Sequence, residues 1–121
     1  MIRLIHCVKR RDDVSIEDFR HFWNSSEFTQ LIERLSSLTM TVEVKKNLTL
    51  DIPLNTDLQL ERYSKQPFDG ILEIIWQTGH EVEILIENEE FNKLYEKMFA
   101  LQKEYIDFND SRRFFTEYSS S

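Results

Sequence analysis

The feature that most constrains this chain is the order in which its hydrophobic period changes. Ile2 to Val8 alternates and is rich in branched apolar residues, as a strand is, and the charged cluster Lys9 to Asp13 ends it. Ser15 followed by Asp18 is a capping-box pattern and predicts a helix start. Phe19, Phe22 and Trp23 share one face of that helix, while Phe28, Leu31, Ile32 and Leu35 lie about half a turn away at ~100° per residue. One straight helix cannot turn both stripes to one core, so a break is expected at Asn24-Ser25-Ser26, whose short polar side chains compete for backbone hydrogen bonds. Thr39 to Leu50 alternates Met40, Val42 and Val44 against Thr41, Glu43 and Lys45 and predicts a second strand. Phe68 to Gln77 predicts a third, entered through Asp69-Gly70. Thr78 and Glu81 repeat the capping pattern, Val82, Leu85 and Ile86 open a second helix, and Phe91, Leu94, Tyr95, Met98 and Phe99 continue it past a joint at Asn88. Arg112 to Tyr118 predicts the last strand, and residues 119–121 a frayed serine tail. Asp51 to Pro67 holds both prolines and little period, so a long loop is expected, of the kind that serves as a lid, a dimer arm or a mobile segment. The order βαββαβ in 121 residues points to one domain, 1–121, of the α+β class: a ferredoxin-like sandwich with an antiparallel four-stranded sheet.

Composition narrows the function classes. With 15 Lys+Arg against 22 Asp+Glu the formal net charge is −7, which argues against a nucleic-acid partner and against docking on an anionic membrane. Two glycines, Gly70 and Gly79, leave no GxGxxG turn and no Walker phosphate loop. Cys7 is alone, so no internal disulfide forms, and no Cys/His pair has zinc-ligand spacing; neither a metal nor another cofactor is expected, and a reducing compartment is the natural setting. The opening apolar run is too short for a secretory segment and nothing approaches a membrane span, so the expected location is cytoplasmic.

Strand alternation sorts the sheet into two faces. Ile2, Leu4, His6, Val8, Met40, Val42, Val44, Leu72, Ile74, Trp76, Phe114, Thr116 and Tyr118 form the face expected beneath the helices. Arg3, Ile5, Cys7, Thr41, Glu43, Lys45, Ile71, Glu73, Ile75, Arg113, Phe115 and Glu117 form the other, half apolar and half charged. Such a face is too apolar for open water, and a second copy of the same sheet is the economical cover. The expectation is a homodimer whose paired sheets enclose a partly polar chamber containing Arg3, Glu43, Glu73 and Arg113. Equally, these four charges could pair across strands at a rim.

Three runs carry a family resemblance: Ser15-Ile16-Glu17-Asp18-Phe19-Arg20-His21-Phe22-Trp23, Phe68-Asp69-Gly70-Ile71-Leu72-Glu73-Ile74-Ile75-Trp76, and Tyr105-Ile106-Asp107-Phe108-Asn109-Asp110-Ser111. In order and spacing the chain resembles the EthD family of dimeric α/β-barrel proteins. The resemblance implies a ferredoxin-like protomer paired into a barrel, among relatives that include polyketide cyclases, muconolactone-type isomerases and monooxygenases. The His that the family usually places four residues after the helix Trp is Glu27 here, and the acidic pair it often places before the third run is Leu101-Gln102.

Glu27, one turn past Trp23, would be a carboxylate beside an aromatic wall, a setting that raises a carboxyl pKa and suits general acid or base work. A pocket is expected where Trp23, Glu27, Arg3 and Glu73 converge between the charged sheet face and the helix break, with Glu73 ion-paired and Glu27 freer. Glu27 and Glu73 are thus the candidate catalytic residues, and Trp23, Trp76, Arg3, Glu43 and Arg113 the candidate ligand contacts. Trp23 and Trp76 also read as core fillers, and His6 as a core imidazole; His21 and His80 read as surface residues. Two functions remain open. One is a cofactor-independent lyase, isomerase or cyclase that moves a proton on a small hydrophobic carbonyl compound; the other is a non-catalytic dimer that binds a small ligand or is structural.

Overall fold

A computed structural model describes residues 1–83 and 87–119. The side chains of Glu81 and Val82, residues 84–86, and the tail residues Ser120 and Ser121 lie outside the described residues, and so do the expectations placed on them, the capping role of Glu81 among them. The elements run β1 (Ile2–Val8), α1 (Ile16–Trp23), α2 (Ser26–Leu38), β2 (Glu43–Leu48), α3 (Pro53–Glu61), β3 (Gly70–Trp76), α4 (His80–Glu83), α5 (Glu89–Lys103) and β4 (Arg112–Glu117). The four strands form one sheet in the order β2-β3-β1-β4 with every neighbouring pair antiparallel.

The expected break between the two helical stripes is built from caps. The Ser15 hydroxyl accepts from the Asp18 amide at 3.0 Å to open α1. Asn24 closes it, and the Ser25 hydroxyl accepts from the Phe28 amide at 3.2 Å to open α2. Lys46 crosses from β2 and donates its amine to the Trp23 carbonyl at 3.0 Å and the Thr29 hydroxyl at 3.1 Å, satisfying an orphan acceptor at the α1 terminus. The bend brings both stripes into one core: Phe19, Phe22, Trp23, Phe28, Leu31 and Ile32 pack with Val8 and Leu72 of the sheet and with Leu94, Met98 and Ile106. Phe22 stacks on Tyr105 with ring centroids 4.4 Å apart, which places the end of α1 beside the segment that follows α5.

Three expectations are corrected. The second strand is shorter than Thr39 to Leu50, because Thr39 caps α2, Met40 turns the chain at φ 55°, and the Thr41 amide bonds back to Ser36; the ladder begins with the Val42 amide on the Ile75 carbonyl at 2.8 Å. The segment 51–67 is not a loop throughout but carries α3. Pro53 occupies its first turn, where the missing amide costs nothing, and Ile52 takes the extended conformation that a following proline favours. Finally, β4 shows the opposite faces from those expected. Its register pairs Leu4 with Phe115 and His6 with Arg113 on the helix-covered face, and Ile5 with Phe114 and Arg3 with Thr116 on the open one. The entry point is fixed by buried Ser111, whose hydroxyl accepts from the Lys9 amide at 2.9 Å and donates to the Asp107 carbonyl at 2.7 Å.

Candidate functional site

The open face of the sheet gathers a polar cluster within an apolar field. Arg3 on β1 pairs with Glu73 on β3, and the Asn47 amide on β2 donates to the other Glu73 oxygen at 3.0 Å. The Arg3 guanidinium also lies over the Tyr118 ring at 4.4 Å, a cation–π contact that holds it flat on the sheet. Its Nε is buried without an acceptor among the described residues. Around this cluster stand Ile5, Cys7 and Ile71, all half-buried, and Phe114, which is exposed. Burial pushes the Cys7 thiol up, away from thiolate reactivity. Ile75 is buried between its register neighbours Arg3 and Glu43. The apolar residues of the helices pack against the opposite face.

That opposite face holds a second group. His6, at 6% exposure, sits beside Arg113, and the Arg113 guanidinium donates to the Tyr95 hydroxyl of α5 at 2.9 Å. Burial, helped by the neighbouring guanidinium, pushes the His6 imidazole down to about 4, so it is neutral at physiological pH. A neutral imidazole next to a cation and a phenol is a weak proton acceptor but can orient and polarise a carbonyl oxygen. Farther along the sheet, Trp76 is buried and faces Phe115 at 6.2 Å.

The expected convergence of Trp23, Glu27, Arg3 and Glu73 does not form. Arg3, Glu43 and Glu73 are on the open face; Trp23, Trp76 and Arg113 are on the helix-covered side of the sheet. Trp23 is a core residue packed onto Gly70, where a Cβ would come within 2.9 Å of its ring. Glu27 is exposed on the outer helical layer, in an open groove of about 540 Å³ whose walls include Leu31, Arg34, Lys97, Leu101 and Glu104. The reason is the break itself: it turns both apolar stripes toward the sheet and therefore sends the polar residues of α2 to water, the reverse of what was expected. Asn47, Tyr118 and Tyr95 were not singled out from the sequence. Asn47 has the parity of Glu43 and Lys45, so carrying the alternation two residues farther would have found it; no short-range signal marks the two tyrosines. Among the described residues, no group of three His, Cys, Asp or Glu side chains could hold a metal ion, and no helix is long and apolar enough to cross a membrane.

No protein-family model matches the chain, and no curated protein matches it. Solved structures do. A dimeric protein of unknown function and ferredoxin-like fold from Bacteroides fragilis superposes with a TM-score of 0.62 at 15% identity, over 97% of this chain and 95% of that one. A protein of Arabidopsis thaliana matches in its crystal form with a TM-score of 0.61 at 13% identity, over 100% of this chain and 98% of that one. Its solution structure, described as that of a hypothetical protein, gives 0.57 at 12% identity, over 99% and 89%. At these identities the likeness concerns the fold, which is α+β and ferredoxin-like.

Proposed function

We propose that this chain is an EthD-like homodimer, closed over the open face of its sheet, that binds a small hydrophobic carbonyl compound there and does not work through Glu27. The observation that carries the reading is the open face: exposed Phe114 with half-buried Ile5 and Ile71 around the partly exposed Arg3–Glu73 pair. Apolar surface gains by leaving water, and the partly exposed Arg3 guanidinium can donate to a carbonyl oxygen brought onto that face. The dimeric state of the Bacteroides fragilis neighbour and the three sequence runs that resemble the EthD family support it. Light scattering at micromolar concentration is expected to give about twice 14.6 kDa, and a well-behaved monomer overturns the reading.

His6 favours a second reading, an enzyme of the isomerase or cyclase kind, because an imidazole held neutral beside Arg113 and Tyr95 can donate a hydrogen bond to a substrate carbonyl and acidify the protons next to it. Incubating the protein with hydrophobic ketones in D2O separates the two. Saturable shifts without faster exchange of the protons next to the carbonyl mark a binding protein; exchange that disappears in His6→Gln marks the enzyme.

A further inference from the structure

We propose that α3 is a strap that packs on a second copy of the chain; this rests on the homodimer read above and specifies which segment crosses. The feet of the segment are pinned to its own protomer: the Arg20 guanidinium donates to the Thr49 carbonyl at 3.3 Å, the Thr49 hydroxyl to the Phe68 carbonyl at 2.5 Å, and the Lys9 amine to the Pro67 carbonyl at 3.4 Å. Between the feet, the hydrogen bonds described are internal ones, such as the Asn55 amide to the Leu50 carbonyl at 2.7 Å and the Ser64 amide to the Gln59 carbonyl at 3.0 Å. No residue of α3 is buried.

What the segment shows to water is apolar. Leu50, Ile52, Leu54, Leu58, Leu60 and Tyr63 are 39% to 96% exposed. If a large side chain presents roughly 200 Å² when fully exposed, they offer about 700 Å² in total over the several sides of the segment, close to one partner's share of a standard interface. A helix of nine residues is too short to hold itself in water, so α3 needs cover from outside. Leu54 and Leu58 lie on one side and Leu60 on nearly the opposite one, so the cover has to reach more than one side. Tyr63 follows the helix at φ 51°, a left-handed position that glycine or asparagine usually fills; its amide bonds to the Leu60 carbonyl at 3.3 Å while the residue is 96% exposed, which fits a ring with a seat on another molecule.

The occupant is a second copy because α3 follows β2, the edge strand of the sheet whose open face shows exposed Phe114 beside half-buried Ile5 and Ile71, so the strap continues the surface on which the homodimer closes. A twofold axis that sets the two open faces together also repeats the strap on both sides, so each α3 can pack on the flank of the partner while the sheets cover each other. An anionic lipid surface fits poorly, since the segment carries Asp51, Asp57 and Glu61 with no basic cluster.

The test compares wild type with Leu54→Ser/Leu58→Ser/Leu60→Ser by analytical ultracentrifugation, with far-UV circular dichroism to confirm folding. The strap predicts a wild-type dimer and a rise of at least 100-fold in the dissociation constant of the variant. A wild-type dimer with an equally tight variant dimer overturns the strap alone, and a wild-type monomer overturns the homodimer and the strap together. A second measurement holds even if the triple variant misfolds. A nitroxide on Cys7→Ala/Leu58→Cys, mixed with isotope-labelled wild type, is expected to broaden amides of the labelled partner, and an unbroadened spectrum overturns the strap.

Discussion

His6 shows how the surroundings of one residue set a pH dependence. Above its ordinary pKa of 6.5 the imidazole is neutral in the folded and the unfolded chain alike, so it adds no slope to stability there. Below that pH the unfolded chain takes up a proton that the folded chain refuses until about 4, and stability is lost across that window. The loss reaches about 3 kcal/mol at most, from the size of the shift and ~1.36 kcal/mol per pH unit. The urea midpoint is expected to fall between pH 6.5 and 4, and His6→Gln to lack that part of the fall. Gly70 makes a different point at the same scale. Its α-carbon lies under the Trp23 indole, where a Cβ would stand 2.9 to 3.1 Å from three ring atoms that the core holds in place. Gly70→Ala is therefore expected to cost about 1 to 3 kcal/mol by overpacking, read by chemical denaturation. Because the clash is with one ring, Trp23→Phe should recover part of that cost in the double variant, and purely additive losses would contradict this account.

The bend between α1 and α2 decides where every polar residue of the helical layer points. Ser25 supplies the cap that starts α2, so Ser25→Ala is expected to cost about 1 kcal/mol in denaturant midpoint. The bend was legible because two apolar stripes out of phase on one helix are a contradiction that only a break removes, and Asn24-Ser25-Ser26 is the place for one. A joint was expected at Asn88 as well, and its side chain accepts from the Phe91 amide at 2.9 Å to open α5. Elements fixed by long-range pairing were not. Arg112-Arg113-Phe114-Phe115 is a pair of doublets, equally charged and equally apolar on either parity, so alternation alone could not choose a face for β4; Ser111, anchored to Lys9 and Asp107, chooses it. Nor could periodicity reveal α3, whose leucines form no stripe because its own protomer offers it no core. The candidate site inherited both errors: Arg113 moved with the β4 register, and Glu27 moved outward with the bend.

At the scale of the molecule, the sheet separates two environments that the sequence had merged. Arg3, Glu73 and Asn47 form a hydrogen-bonded cluster on one face, while His6, Arg113 and Tyr95 form another beneath the helices. The register of β4 supplies a matched pair of probes for the first face. Phe114 and Phe115 are neighbours in sequence, at 46% and 53% exposure in the protomer, but they point to opposite sides of the sheet. An aspartate at either position stays solvated in an isolated protomer, so both variants should fold. In a dimer closed over the open face, Phe114→Asp places an unpaired carboxylate in the interface, which costs several kcal/mol and raises the dissociation constant by about 100-fold or more. Phe115→Asp lies on the other side and is expected to leave the dimer intact. Ile75→Lys differs from both, because Ile75 is already buried within the protomer, and it should lower the unfolding midpoint of the chain itself. Sedimentation of the two phenylalanine variants at equal concentration decides the arrangement: weakening confined to Phe114→Asp fits sheet-to-sheet closure, whereas weakening by Phe115→Asp alone would put the interface on the helical side and remove the open face from it.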